Sequence, residues 1–497
     1  MDRTLYPLII SKIFIIAIFI ISTFFIIFIP AVFGSRSYGA PYKLAKPALK
    51  AVRLQRTLLS NKKHRYIGLK SALLLALKHY PGILSSKYTY IASGYTKNQS
   101  TYLYYPQVSV NAGFSKNTVM DVNENNGQVS GIGNIANNYA ISDYYGNINA
   151  SLMLYSFGSR YYGYKQALYN MMGTKYGYSL EINSALYNVV FDYVTYFGDK
   201  ELERANKENL KNTEMEYKAA EAFYKIGTGD LLDAKTAKAT MESAKAAYIT
   251  SKFNLKIAKL ALFNAIGIPV SRNYYFINTL KFTKIKLKLK EMIDAGLKFN
   301  PQLKQVIYTV KSSKAAVAEA TTGYYPALNA NFTYTGSNSS FPLNRNYIVG
   351  ISINIPVFNG FLTPNKIGYA KASLNSQLWN KALVKDNLIY SISQDYYSLK
   401  SQYLTQKALK QSYLASKLAY KLALKSYQVG VGSMVQLVTA DAQYISSETN
   451  YINAKFTYGY EKAKLYSDLG LMLPHYLGIL YPPVIAQGKA RAGQISR

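Results

Sequence analysis

Tyr324-Tyr325-Pro326-Ala327-Leu328-Asn329-Ala330-Asn331 repeats the pattern of Tyr104-Tyr105-Pro106-Gln107-Val108-Ser109-Val110-Asn111. In the later copy Leu328, Ala330, Phe332 and Tyr334 alternate with Ala327, Asn329, Asn331 and Thr333. In the earlier copy Val108, Val110, Ala112 and Phe114 alternate with Gln107, Ser109, Asn111 and Gly113. A period of two belongs to a strand with one apolar and one polar face. Each copy has a second such strand downstream. Val349, Ile351, Ile353 and Ile355 oppose Gly350, Ser352 and Asn354, while Ile148, Ala150, Leu152 and Leu154 oppose Asn149, Ser151 and Met153. Two β-hairpins are expected, over 106–157 and 326–358, each followed by a long segment without strand character.

The echo extends beyond the strands. Pro106 and Pro326 stand 220 residues apart, as do Pro81 and Pro301 in Leu77-Lys78-His79-Tyr80-Pro81 and Leu297-Lys298-Phe299-Asn300-Pro301. After the hairpins the separation drops, to 203 residues between Gly227 and Gly430. The difference lies in the hairpin loops: roughly Ser115 to Tyr145 is long and rich in Asn and Gly, whereas about Thr335 to Asn346 is short. Loop tips accept insertions that a framework does not. The chain therefore reads as a duplication, with repeat 1 over 71–267, a connector over 268–290, repeat 2 over 291–470 and a tail over 471–497.

The segments after the hairpins carry helical spacing. Ile182, Leu186, Val189, Tyr193 and Tyr196 recur at steps of three and four, and so do Ile389, Ile392, Tyr396, Leu399 and Tyr403. Each helix runs to a glycine turn, at 226–230 (Gly227, Gly229) and 429–433 (Gly430, Gly432), where glycine supplies a left-handed cap. Asp230 and Ser433 are placed to cap the returning helices. Those helices carry heptads: Ala234, Ala237, Met241, Ala244, Tyr248, Ser251, Leu255, Ala258 and Leu262, then Leu437, Ala440, Tyr444, Ser447, Tyr451, Ala454 and Tyr458. Small residues in such a seam predict close antiparallel coiled coils, and about sixty-five residues of helix would span roughly 100 Å. Gly163, Gly173 and Gly177 sit against that pattern, without an explanation in the sequence.

Composition narrows the function. The chain of 497 residues has 58 basic against 25 acidic residues and 49 tyrosines. A charge of +33 brings nucleic acid to mind. The lysines are scattered at helix-face spacing, however, and no nucleic-acid-binding motif occurs, which argues against such a partner. Anionic lipid headgroups fit a positive surface better. There is no cysteine, so disulfides, catalytic thiols and thiolate metal sites are excluded; His64, His79 and His475 are too dispersed for a metal cluster, and no cofactor is expected. No hydrolase, phosphate-loop or dinucleotide motif is found, so an enzyme is not expected. Residues 1–39 resemble a secretory signal: Arg3 and Lys12 precede an apolar run from Ile13 to Ile29, followed by small residues. The basic segment 40–70, with Pro41 and Pro47, reads as a poorly ordered lead-in.

Four strands with one apolar face cannot close a barrel, which takes about eight at minimum. Open strand edges are not tolerated in lipid. An exported chain of this pattern must then oligomerise, so that strands from several copies complete one barrel. Tyr104, Tyr105, Tyr144, Tyr145, Tyr155, Tyr324, Tyr325 and Tyr347 at the strand ends suit the aromatic girdles of such a barrel. The competing reading is a non-conducting structural or adhesive periplasmic coiled-coil protein, its strands packed as a soluble sheet.

In this order, and duplicated, the features resemble the TolC-type outer-membrane efflux family over about Ser71 to Leu471. The resemblance rests on the Pro-led strands, the Ile355-Pro356-Val357-Phe358-Asn359-Gly360 strand exit and the doubled Tyr-x-x-Gly turn. It rests also on the helix ends Asn264-Ala265-Ile266-Gly267-Ile268-Pro269 and Ser467-Asp468-Leu469-Gly470. It implies an α+β membrane protein, a homotrimer whose three chains build a twelve-stranded outer-membrane barrel and a periplasmic α-helical tunnel. It implies an exit duct of a tripartite efflux pump, RND-type foremost, or of a type I secretion system. The tip turns, Gly227, Gly229, Gly430 and Gly432, would meet a periplasmic adaptor coupled to an inner-membrane RND or ABC transporter. An iris-like gate would join Tyr427 to Asp233. The family's arginine at the gate is Gly432 here, and its constriction aspartates are Gln436 and Thr439. Weak cation preference, or anion preference, is therefore expected. The connector from Val270 to Lys290 and the tail from Pro474 to Arg497 would form a belt around the tunnel.

Overall fold

The computed structural model describes residues 65–120, 138–270, 274–280, 282–285 and 288–472. The signal segment, the basic segment up to 64, the tip of the first hairpin, parts of the connector and the tail from 473 lie outside the described residues. The first repeat comprises strand β1 (Arg65–Ile67), helices α1 (Leu69–His79) and α2 (Pro81–Gln99), strands β2 (Gln107–Met120) and β3 (Asn138–Tyr155), and helices α3 (Ser159–Lys225) and α4 (Leu231–Ile266). After β4 (Tyr274–Phe276) the second repeats the pattern with α5 (Leu289–Phe299), α6 (Pro301–Thr321), β5 (Ala327–Asn338), β6 (Asn344–Asn354), α7 (Leu362–Gln428) and α8 (Met434–Asp468).

The helical breaks fall where proline requires them. Tyr80 is extended and Pro81 opens α2, because the residue before proline avoids the helical region while proline itself suits the first turn. Asn300 and Pro301 do the same for α6, with Asn300 Oδ1 accepting from Leu303 N at 3.0 Å. Each repeat closes onto its own break. Gly267 ends α4 at φ +74° and Gly470 follows α8 at φ +71°. A Cβ on Gly267 would stand 2.7 Å from Tyr80 Cα, and one on Gly470 2.8 Å from the Phe299 carbonyl oxygen. Only glycine permits both the conformation and the approach.

The two hairpins join, β3 to β5, in one antiparallel sheet of order β2-β3-β5-β6. The register aligns the apolar residues across all four strands. Val108 pairs with Ala150, Ala150 with Phe332, and Phe332 with Val349; Val110, Ile148, Tyr334 and Tyr347 form the next row. The opposite face is amide and hydroxyl, with Asn111 and Asn149 both donating to Asn147 Oδ1 at 2.9 Å. The strands reach further than expected, to Met120 and from Asn138, so the first loop is shorter than 115–145. A bulge between Met153 and Tyr155 takes Leu154 out of its row and sets Tyr155 opposite Leu328. The bulge is held by Arg160 of α3, which donates to the carbonyls of Met153 (2.7 Å), Leu154 (2.9 Å) and Leu103 (3.2 Å) and lies 4.5 Å over the Tyr104 ring.

The long helices carry the rest. α3 and α7 each have 67 residues, about 100 Å at 1.5 Å per residue. Their seams are those of the heptads: Ala234, Ala237, Ala244, Ser251, Ala258 and Leu262 are buried in α4, and Leu437, Tyr444, Ser447, Ala454 and Tyr458 in α8. The glycines without a sequence explanation face α6. A Cβ on Gly163 would lie 3.2 Å from Glu319, and one on Gly177 3.3 Å from Gln305. They let α6 settle close against the start of α3.

One expectation fails at the N-terminal end. Residues 65–70 are not a poorly ordered lead-in: β1 pairs in parallel with β4, and α1 begins at Leu69. Ile67, Phe276 and Tyr193 are buried in one core, and the Tyr193 hydroxyl donates to the Ile277 carbonyl. The segment looks polar because its partner strand lies about 210 residues away in sequence, beyond the reach of local pattern. The connector is likewise tied down, with Tyr458 OH donating to Thr283 O at 2.9 Å and Lys462 Nζ to Thr283 Oγ1 at 2.9 Å.

Candidate functional site

Two regions carry chemistry: the sheet faces and the helical tips. On the sheet, the apolar rows have no cover among the described residues. Val110, Val349 and Ile351 are 70%, 71% and 72% exposed. Aromatic rings border these rows at both ends. Phe114, Tyr144 and Phe341 cluster with centroids 4.9 and 5.4 Å apart at one end, and Tyr155, Phe157 and Tyr325 at the other. Tyr145 departs from the expected girdle, since its ring covers Gly113 on the polar face. Strands β2 and β6 are both edges.

The two tips are built alike. Gly227 N donates to Tyr224 O at 3.0 Å and Gly229 N to Phe223 O at 2.9 Å; Gly430 N donates to Tyr427 O at 3.1 Å and Gly432 N to Ser426 O at 3.0 Å. Gly227 and Gly430 have φ of +80° and +78°. Asp230 caps α4 through Leu232 N, and Ser433 caps α8 in a reciprocal box with Gln436. Around these turns the surface is apolar: Ile226, Leu232, Val429, Val431 and Val435 are exposed.

The sequence-derived gate residues lie near each other but are not bonded. Tyr427 is buried, edge-on to Phe223 at 5.8 Å, and its hydroxyl is raised first by burial and then by the charge of Asp233. No hydrogen bond between Tyr427 and Asp233 occurs among the described residues. Gln436 and Thr439 are exposed on α8 and line an uncharged depression of about 410 Å³ with Ser416, Ala419, Val435, Ala440 and Gln443.

Sequence reasoning passed over the strongest polar contact at the tips. Tyr420 of α7 donates to Glu216 Oε1 of α3 at 2.7 Å, tying one helical hairpin to the other. Asp441 of α8, which could not be placed from spacing, is buried beside them, where its charge acts on Glu216. A signal existed in the pattern: both acids fall on the apolar seams of their helices, where a charge without a role is rare. Further up, Lys464 Nζ lies 2.6 Å from buried Asp395 and Lys455 Nζ 2.8 Å from Glu201, each joining two helices.

The sequence profile of the outer membrane efflux protein family matches residues 75–268 and 292–471, one segment in each repeat. No curated protein matches the sequence. Solved structures do match in fold. The Campylobacter jejuni CmeC outer membrane channel is 15% identical, with TM-score 0.73 over 86% of this chain and 89% of that one. The open state of the Neisseria gonorrhoeae MtrE outer membrane channel is 19% identical, with TM-score 0.69 over 81% and 88%. VceC from Vibrio cholerae is 13% identical, with TM-score 0.69 over 81% and 96%. With a duplicated strand–helix framework, an uncovered apolar sheet face and a profile match across both repeats, this chain belongs to the outer membrane efflux protein family.

Proposed function

We propose that the chain is the outer-membrane exit duct of a tripartite efflux pump, with an RND-type transporter as the foremost inner-membrane partner and a type I secretion system as the other host. The observation that carries this reading is the apolar face, aligned over four strands and exposed, between two open edges. Such a face suits acyl chains, and only neighbouring copies can cover the edges, so the reading requires several copies around one barrel; likeness to the family makes that a homotrimer with twelve strands. The polar face then lines the pore with asparagine, serine and threonine. Substrate passes without chemistry.

The apolar tips support docking of a periplasmic adaptor, since exposed aliphatic residues at a helical turn are a binding surface rather than a stable solvent contact. The gate reading joins the hairpins near Tyr427 and Asp233, and opening separates them. With Gln436 and Thr439 at the constriction positions, the pore has no carboxylate there and weak cation preference. Planar-bilayer recording of the purified trimer tests the duct, with reversal potentials reading selectivity. Cysteines at Val349 and Asn331 test the two faces: a water-soluble thiol reagent should reach Asn331→Cys and spare Val349→Cys. Free labelling of both, together with absent conductance, would remove the reading.

A further inference from the structure

Glu216 and Asp441 are 2% and 3% exposed, on α3 and α8 respectively. Glu216 Oε2 and Asp441 Oδ1 are buried without a hydrogen-bond partner, and no ion pair among the described residues includes either group. The tyrosine hydroxyl of Tyr420 serves one carboxylate oxygen alone. The other facing groups bring no cation to the pair. Tyr444 stacks on Tyr420 at 5.4 Å, Ala237 of α4 completes the packing, and Lys417 is held by Tyr413 OH at 3.1 Å. Glu448 and Glu208 act on Tyr444, and Glu208 and Arg204 act on Glu448, farther along the seam.

Two buried anions with one donor between them are poorly satisfied. A single proton changes this, because a protonated carboxyl gains a donor and loses its charge. We propose that Glu216, Asp441 and Tyr420 form a proton-held latch between the two helical hairpins, engaged while one carboxyl is protonated and released when both ionise. Burial, with the nearby Asp441 charge adding to it and the Tyr420 hydrogen bond opposing it, pushes Glu216 up to about 7; burial pushes Asp441 up to about 6. These values place release near neutrality.

The direction follows from proton linkage. Opening returns the carboxyls to water, where 4.5 and 3.8 are their ordinary values. Between those values and the raised ones, the closed state holds a proton that the open state lacks. The closed-to-open ratio therefore falls about tenfold per pH unit for one proton as the pH rises. Acid keeps the latch engaged.

The latch rests on the reading of the chain as a gated duct, and two readouts keep the ideas apart. The full-length trimer is recorded in planar bilayers with the tip-side pH stepped from about 5 to about 7.5, a range that covers the upper part of the linkage window. The open fraction should climb about tenfold per unit over part of that range. A Glu216→Gln, Asp441→Asn double variant, which supplies permanent amide donors, should stay shut throughout. Tyr420→Phe removes a bond that holds the closed, ionised pair and lowers Glu216, so its trimer should be more open than the wild type near neutral pH while its carboxyl stays protonated to higher pH. Infrared difference spectra should show a protonated-carboxyl contribution near pH 6 that is lost in the double variant, above the band that Asp468 gives in both. A pH-independent wild type, an unaltered pH profile in the double variant, or a Tyr420→Phe trimer that stays shut to higher pH than the wild type would overturn the latch. Absence of conductance in every condition would overturn the duct instead, and the infrared band would still decide whether the pair holds its proton.

Discussion

Replacing Val349 by arginine separates a lipid-facing sheet from a solvent-facing one. Val349 sits in the row Val108–Ala150–Phe332–Val349 and is 71% exposed, so the substitution removes little packing within the chain. If that face met water, the cost would stay within about 0.5 kcal/mol, as for other surface changes. Facing hydrocarbon near the bilayer midplane, arginine costs about 2–4 kcal/mol, or about 6–12 kcal/mol summed over three subunits. Ser109→Arg is the control, because Ser109 pairs with Asn149 on the opposite, polar face. Urea titration in lipid vesicles, followed by the heat-dependent mobility of the trimer, measures both. The Val349 variant should lose about 2 kcal/mol or more per subunit relative to the control. Equal losses in the two variants would refute the assignment of faces, and with it the argument that the edges must be closed by other copies.

Three further outcomes follow from local contacts. Arg160→Ala strips three carbonyls at the β3 bulge of a charged donor and should lower stability by about 3 kcal/mol in urea titration; Arg160→Lys, lacking the fork, should recover less than half of it. Gly470→Ala forces a side chain into a left-handed conformation and against the Phe299 carbonyl, for a loss of about 3 kcal/mol read in the same way, while Gly368→Ala, where a Cβ meets nothing, should be neutral or slightly stabilising. Asp468 is raised to about 7 by burial, with the buried Asp395 charge adding to the effect. Its folded form holds a proton that the unfolded chain releases near 3.8, so its contribution is present below that value and is lost as pH climbs toward 7. Asp468→Asn should flatten the melting temperature over this window.

Much of the framework was legible because it is written in local periodicities. Alternation marked all four long strands and the face each presents, heptads marked the seams of α4 and α8, and the doubled proline and glycine signals marked breaks and tips at their observed positions. These features depend on residues a few positions apart, so the linear order carries them. Tertiary structure decided what distant segments do to each other. It paired β1 with β4, turned Gly163 and Gly177 toward α6, moved Leu154 out of its row through the bulge, and set Tyr145 on the polar face. It also brought Tyr420 to Glu216, 204 residues apart, while leaving Tyr427 and Asp233 near each other without a bond. No pattern within one helix determines which acid on its seam meets a donor from another; that depends on the rotation and offset at which the helices pack.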